Sequence, residues 1–350
     1  MRGLKSRLHL LTAAIDHPAG EAPKARPQRE PRGRLRSIVK APQVVPAEDK
    51  GDDWGGGTRQ AVLARLRNSR SDLSQLRKEL RSQNIGTVEH RNLSYAVADA
   101  EARKSALQDR LDTSFVPQHS PTQLASPRDM LTSSLFGVRA RGAPRCENLV
   151  QTLVANHLGT LRYRGPELRQ VDGLVFMLLV NMLRDVKVGN QAAFAPADVC
   201  QLLLGGYSGQ TREQLRQIIL RLQQGVLEFS NHAVQLAQRF EFPDEGPWRV
   251  ALDPDIVQLF SWSRQTWLEL KTSLSLPVGL ATWLYGYVES QTVLIPVQVE
   301  ALRTLCGSEA TVQAFEKQLR RALHELVAAG VLDAGWSVAR GTVRWMKARP

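Results

Sequence analysis

The feature that most constrains this chain is a unit it carries twice. FAPADVCQLLLGG (194–206) runs into TREQLRQIILRLQQGVLEF (211–229), and roughly a hundred residues later IPVQVEALRTLCG (295–307) runs into SEATVQAFEKQLRRALHELVAAGVL (308–332). Each copy reads apolar strand end, Pro, short helix, Gly turn, longer basic amphipathic helix, Gly, strand. That order predicts a winged helix-turn-helix, whose second helix enters the major groove of DNA. The expected fold class is therefore α+β and mostly helical, with two tandem winged helix-turn-helix domains behind a disordered and helical N-terminal extension.

The bulk numbers are compatible with this. The 350 residues leave room for two domains and a tail, and 43% hydrophobic residues suffice for real cores. A net charge of +12 points to a polyanionic partner, here double-stranded DNA. The longest apolar run, LVFMLLVNML (174–183), is too short to cross a bilayer, so no membrane partner is expected. The start of the chain faintly mimics a signal peptide, but Arg7 and His9 lie near its apolar stretch, LHLLTAAI is short, and both argue against export. Cys146, Cys200 and Cys306 are odd in number and widely spaced, which fits a reducing, cytoplasmic setting.

Composition divides the chain. Residues 1–57 are rich in Pro, Gly and Arg and predict a disordered basic tail. Residues 58–115 predict a helical extension, where Val62, Leu66, Leu73, Leu76 and Leu80 fall at heptad spacing for a short coiled coil, a partner-binding helix or a helix packed on its neighbour. Pro and Ser return over 116–143, which reads as a linker. The two winged-helix domains are then expected over 144–252 and 253–350, each with an apolar scaffold helix, at 172–186 and 278–289.

The reader helices supply the candidate DNA contacts. In the first, Leu215, Ile218, Ile219 and Leu222 share one face, while Arg216, Gln217 and Arg221 lie opposite, with Arg212 near the start and Leu220 as a poor fit. In the second, Val312, Phe315, Leu319, Leu323 and Leu326 form the buried stripe, and Gln313, Lys317, Arg320, Arg321 and His324 project from the other side. A hairpin follows with Arg340 and Gly341 at its tip, and Arg340, Arg344 and Lys347 are expected beside phosphates. Arg and Gln can also pair with base edges. Val234, Leu236, Phe240 and Phe242 alternate and predict one strand of the first wing.

Catalysis is not expected. The seven histidines are scattered, Tyr285 and Tyr287 lie in an apolar helix, and WGGGT (54–58) lacks the Lys-Ser/Thr of a phosphate-binding loop. No Cys/His set stands at metal spacing, so neither a metal nor a cofactor is expected.

The segments SSLF (133–136), YRGPELR (163–169), RLQ (221–223), QRFEF (238–242), LDPDIVQLF (252–260), LRTLCGS (302–308) and ELVAAGVLDAGW (325–336) make the region from Leu131 to Lys347 resemble the TrfA family of plasmid replication initiators. The resemblance implies two winged-helix domains gripping one repeated origin site (iteron). It further implies melting of an adjacent A·T-rich segment, recruitment of host DnaA and the replicative helicase, and a monomer–dimer equilibrium. It also implies a sliding-clamp motif before the matched region. At that place stands RLDTSF (110–115), where Leu111 and Phe115 could fill the clamp's apolar pocket, although the expected glutamine is misplaced at Gln108. A winged-helix repressor without replisome contacts, or a protein-binding adaptor, would carry the same helices.

Overall fold

The computed structural model describes residues 43–44, 59–83, 85, 87–117, 120–140, 142–156, 159–229, 232–262 and 265–348. The tail expected to be disordered lies outside them, apart from strand β1 (Gln43–Val44), which pairs with a strand of the body. Helices α1 (Arg59–Ser82) and α2 (Val88–Ser114) form an antiparallel hairpin. Arg59 lies over the Phe115 ring at one end, and Arg77 meets Glu101 at 2.5 Å farther along. The heptad residues pack within the chain: Val62 and Leu66 are buried with Leu111 and Phe115. Thr87 starts α2 by accepting a hydrogen bond from the His90 N–H at 3.1 Å.

The stretch expected as a linker is part of the core. It holds β2 (Gln123–Pro127), α3 (Arg128–Leu131) and β3 (Phe136–Gly137). Val116, Leu124, Met130, Leu131, Leu135, Phe136 and Val138 are all buried. Pro and Ser mask this in the sequence because their backbone needs are met elsewhere. Buried Asn181 donates to the carbonyls of Pro121 and Gln123, at 3.2 and 2.6 Å, and so fastens the entry to β2.

Next come β4 (Leu149–Asn156), β5 (Gly159–Gly165), β6 (Leu168–Arg169) and the apolar helix α4 (Gln170–Met182). The first repeated unit is β7 (Ala192–Phe194), α5 (Pro196–Leu203), α6 (Gly209–Gln224), β8 (Val226–Phe229) and β9 (His232–Gln235). Between the units lie β10 (Arg239–Glu241), β11 (Trp248–Ala251), α7 (Ile256–Trp262), β12 (Gln265–Glu269), α8 (Leu270–Ser275) and the second apolar helix, α9 (Leu280–Ser290). The second unit is β13 (Val297–Gln298), α10 (Val299–Leu305), α11 (Val312–Ala328), β14 (Ser337–Ala339) and β15 (Thr342–Arg344).

Local chemistry sets the limits of the unit helices. Pro196 opens α5, where its missing N–H costs nothing. Ser208 and Thr211 cap each other at the start of α6, and Thr311 caps α11 through the Ala314 N–H. Leu215, Ile218, Ile219 and Leu222 are fully buried, as are Phe315, Leu319, Leu323 and Leu326. Ala322 joins the second stripe, while Val312, in the first turn of α11 and 40% exposed, does not.

The sheets differ from expectation in three places. In the second unit the short strand is Val297–Gln298, after Pro296 rather than before it, because the ladder to β15 needs N–H groups that Pro cannot give. It forms a three-stranded sheet in the order β13-β15-β14. In the first unit β8 and β9 extend a four-stranded antiparallel sheet, β4-β5-β8-β9, whereas β7 belongs to another, β1-β7-β11-β10. The alternation from Val234 to Phe242 is consequently two strands in two sheets, with the break fixed where the Gln238 N–H donates to Ala251 O at 3.0 Å.

The two halves share one contiguous core. The 123–138 segment is wedged between α4 and α9. β2 pairs with β12, Trp283 Nε1 donates to Ser133 O at 3.0 Å, and the Val138 N–H donates to Cys306 O at 2.8 Å. Gly173 lets the Phe136 ring lie against α4: a Cβ there would stand 2.6 Å from Phe136 Cγ. Gly173→Ala should therefore destabilise the chain by about 1–3 kcal/mol, the usual cost of overpacking a filled core. Chemical denaturation would show this as a lower midpoint at unchanged slope.

Candidate nucleic-acid interface

On α6 only part of the expected cationic face is free. Arg216 and Gln217 are exposed. Arg216 lies over the Phe242 ring at 5.5 Å and 3.7 Å from Glu213, and Gln217 donates to Glu213 at 2.7 Å. Leu220 is half-buried. Arg212 and Arg221 are instead tied into the body. Arg212 donates to the carbonyls of Pro243 and Asp244, both at 2.7 Å, and stacks on Trp248. Arg221 forks onto Asp172 Oδ1 at 3.1 and 2.7 Å. Each sits three residues from a core side chain, Leu215 or Ile218, so both lie at the edge of the buried stripe rather than opposite it.

Asp172 is the node of a buried polar network. Fully buried itself, it also accepts from Arg145 Nη1 and from the Arg169 N–H, both at 2.8 Å. Burial lowers the Arg145 pKa, and the Asp172 charge opposes that shift. Glu167 is buried too, which taken alone raises its pKa. Hydrogen bonds from Arg169 and the Cys146 N–H, with the Arg139 charge, outweigh burial and hold it below the ordinary carboxylate value. The YRGPELR segment makes this network: the Tyr163 hydroxyl donates to Pro166 O at 2.6 Å, and Glu167 receives Arg169 at 2.8 Å. Gly165 has φ +147°, and a Cβ on it would lie 2.9 Å from the Gly225 Cα at the end of α6.

The second unit offers more free charge. Gln313, Lys317, Arg321 and His324 are exposed on α11. The Arg321 side chain is 82% exposed and reaches Glu325 at 3.2 Å, while Lys317 has no ion-pair partner among the described residues. His324 stands edge-on to Trp336 at 4.9 Å. Arg320 donates to Glu316 and to Val338 O at 2.9 Å, bracing the helix against the hairpin. At the hairpin tip Arg340 takes φ 50° and Gly341 φ 71°, a left-handed turn that projects the arginine. Arg340 and Arg344 are exposed without an acidic partner among the described residues. Lys347 is half-buried and tied to Glu289 at 3.4 Å, so it belongs to the packing against α9 rather than to a basic wing.

The clamp-motif expectation fails on burial. Leu111 and Phe115 close the base of the α1–α2 hairpin and are 8% and 3% exposed, so neither can enter a partner's pocket. Two further exposed cations, Arg162 and Arg164, lie off the helices. They alternate on β5 with buried Leu161 and Tyr163 and face outward, Arg164 lying 3.3 Å from Glu228. The period-two pattern LRYR carried that signal.

No group of three or more His, Cys, Asp or Glu stands at metal-binding spacing among the described residues. Tyr285 is buried, its oxygen accepts from the Glu269 N–H at 2.9 Å, and burial pushes its pKa up to about 12. No described helix is long and apolar enough to cross a membrane.

The fold thus sets two helix–helix–hairpin units on one core, with exposed cations on α6 and α11. The family model for TrfA protein matches residues 81–343, and the chain belongs to the TrfA family. It is 25% identical over 332 residues to the plasmid replication initiator protein TrfA of Escherichia coli, covering 86% of this chain and 82% of that protein. Two crystal structures of domains 2 and 3 of RctB are also similar, both 15% identical. They cover 64% and 60% of this chain and 99% and 95% of theirs, with TM-scores of 0.45 and 0.40.

Proposed function

We propose that the chain is a plasmid replication initiator that binds repeated sites in origin DNA through two winged-helix units. The observation that carries this is α11 with its hairpin: Lys317, Arg321, Arg340 and Arg344 are exposed on one helix–hairpin unit, where a major-groove helix and a phosphate-contacting wing would stand. The first unit adds Arg216 and Gln217, with Arg162 and Arg164 on the neighbouring strand. The relative from Escherichia coli, named a plasmid replication initiator, supports the same reading. Initiation then uses binding energy to deform DNA rather than catalysis. DnaA, the replicative helicase and a monomer–dimer equilibrium belong to this proposal, as does a cytoplasmic location.

The test is maintenance of a plasmid that lacks its own initiator. The gene should support replication when placed beside directly repeated sites of roughly two helical turns, ~20 base pairs, and an A·T-rich stretch. Specific binding without replication would instead identify a repressor. Absence of specific binding would point to an adaptor.

A further inference from the structure

The α1–α2 hairpin carries a basic cleft that neither repeated unit uses. Arg70, Arg77, Lys78 and Arg81 of α1 and Lys104 of α2 converge over buried Leu73, around a volume of about 490 Å³. Only Arg77 has an acidic partner, Glu101; the other four have none among the described residues. Helix α1 as a whole holds seven Arg or Lys against two Asp or Glu. At the hairpin's base two backbone hydrogen bonds tie it to the body, from the Arg59 N–H to Asp185 O and from the Val188 N–H to Ser114 O. The cleft lies farther out, toward the turn.

We propose that this cleft seats one phosphate strand of duplex DNA beside the stretch gripped by the two units. The inference rests on the duplex-binding reading above. From Arg70 to Arg81 α1 rises about 16 Å, an axial length over which one strand of a duplex presents roughly five phosphates. The axes of packed helices stand about 8–10 Å apart, so Lys104 on α2 and the cations of α1 reach the same strip of surface and can grip one backbone together. No aromatic side chain lines the cleft, so the stacking platform that single strands use is missing. An acidic helical peptide would need apolar anchor points, and the one apolar lining residue, Leu73, is already buried.

The test uses the full chain with Arg70→Gln, Lys78→Gln, Arg81→Gln and Lys104→Gln together. Glutamine keeps the helices, being a good helix former, and an Arg70→Lys/Arg81→Lys variant keeps the charge. On a mixed-sequence duplex several turns long, the neutralised chain should show a salt dependence shallower by about 0.9 per phosphate lost, roughly 3 to 4 in all. On a duplex that carries the repeat between mixed-sequence flanks, it should also lose protection of the flank while still protecting the repeat. The lysine variant should match the parent. An unchanged slope and flank would overturn the proposal. So would a change confined to single-stranded DNA of the same length, or loss of an acidic protein partner with duplex binding intact. If the full chain failed to prefer the repeat over mixed sequence, the duplex-reading proposal would fall, yet the slope comparison would remain readable.

Discussion

Asp172→Ala should lower the unfolding free energy by about 3–5 kcal/mol, the range for removing one partner of a buried ion pair. The carboxylate is fully buried and takes Arg145 and Arg221 from two different segments, with the Arg169 N–H as a third donor. Without it two guanidinium groups, 22% and 19% exposed, lose their anion in a poorly solvated place. The N-terminal cap of α4 is lost in the same step. Urea unfolding should show a lower midpoint at unchanged slope. The folded protein should keep its DNA footprint, because Asp172 faces inward. A loss below about 1 kcal/mol would place the network among ordinary surface ion pairs.

The second large effect concerns α11. Lys317→Ala and Arg321→Ala should each weaken specific DNA binding by about 1–3 kcal/mol if their side chains reach base edges, and relax specificity at one position. Stability should hardly move, since both are exposed and neither is in the core. Arg221→Ala should behave oppositely: a marked loss of stability through Asp172, with the folded protein binding as before. Competition titrations against altered repeats, run beside denaturation curves, separate the two patterns. Unchanged affinity and footprint in both α11 variants would remove that helix from the interface.

The sequence showed these helices clearly because their signals are local. Pro196 and Gly225 mark helix ends, and a 3.6-residue period names the buried face. Long-range partners were not legible. Arg221 reads as a reader residue until Asp172, 49 positions away, is seen beneath it. Lys347 reads as wing charge until Glu289 appears. The segment 116–143 reads as linker because Pro and Ser suggest coil, whereas its strand is completed by β12 far along the chain. Leu111 and Phe115 read as an exposed motif because the sequence does not reveal that α1 folds back on α2. The Phe136–Gly173 contact, likewise, depends on two elements meeting and on the absence of a Cβ at one of them.

The most direct test of the central claim is hydroxyl-radical footprinting of the full chain on one isolated repeat. A single chain bearing two reader units should protect two backbone stretches, centred about one helical turn, ~10 base pairs, or a multiple of that apart. Arg321→Ala should weaken only one of them, with one protein bound per repeat. Protection of a single stretch, or two stretches only when two chains are bound, would contradict the account.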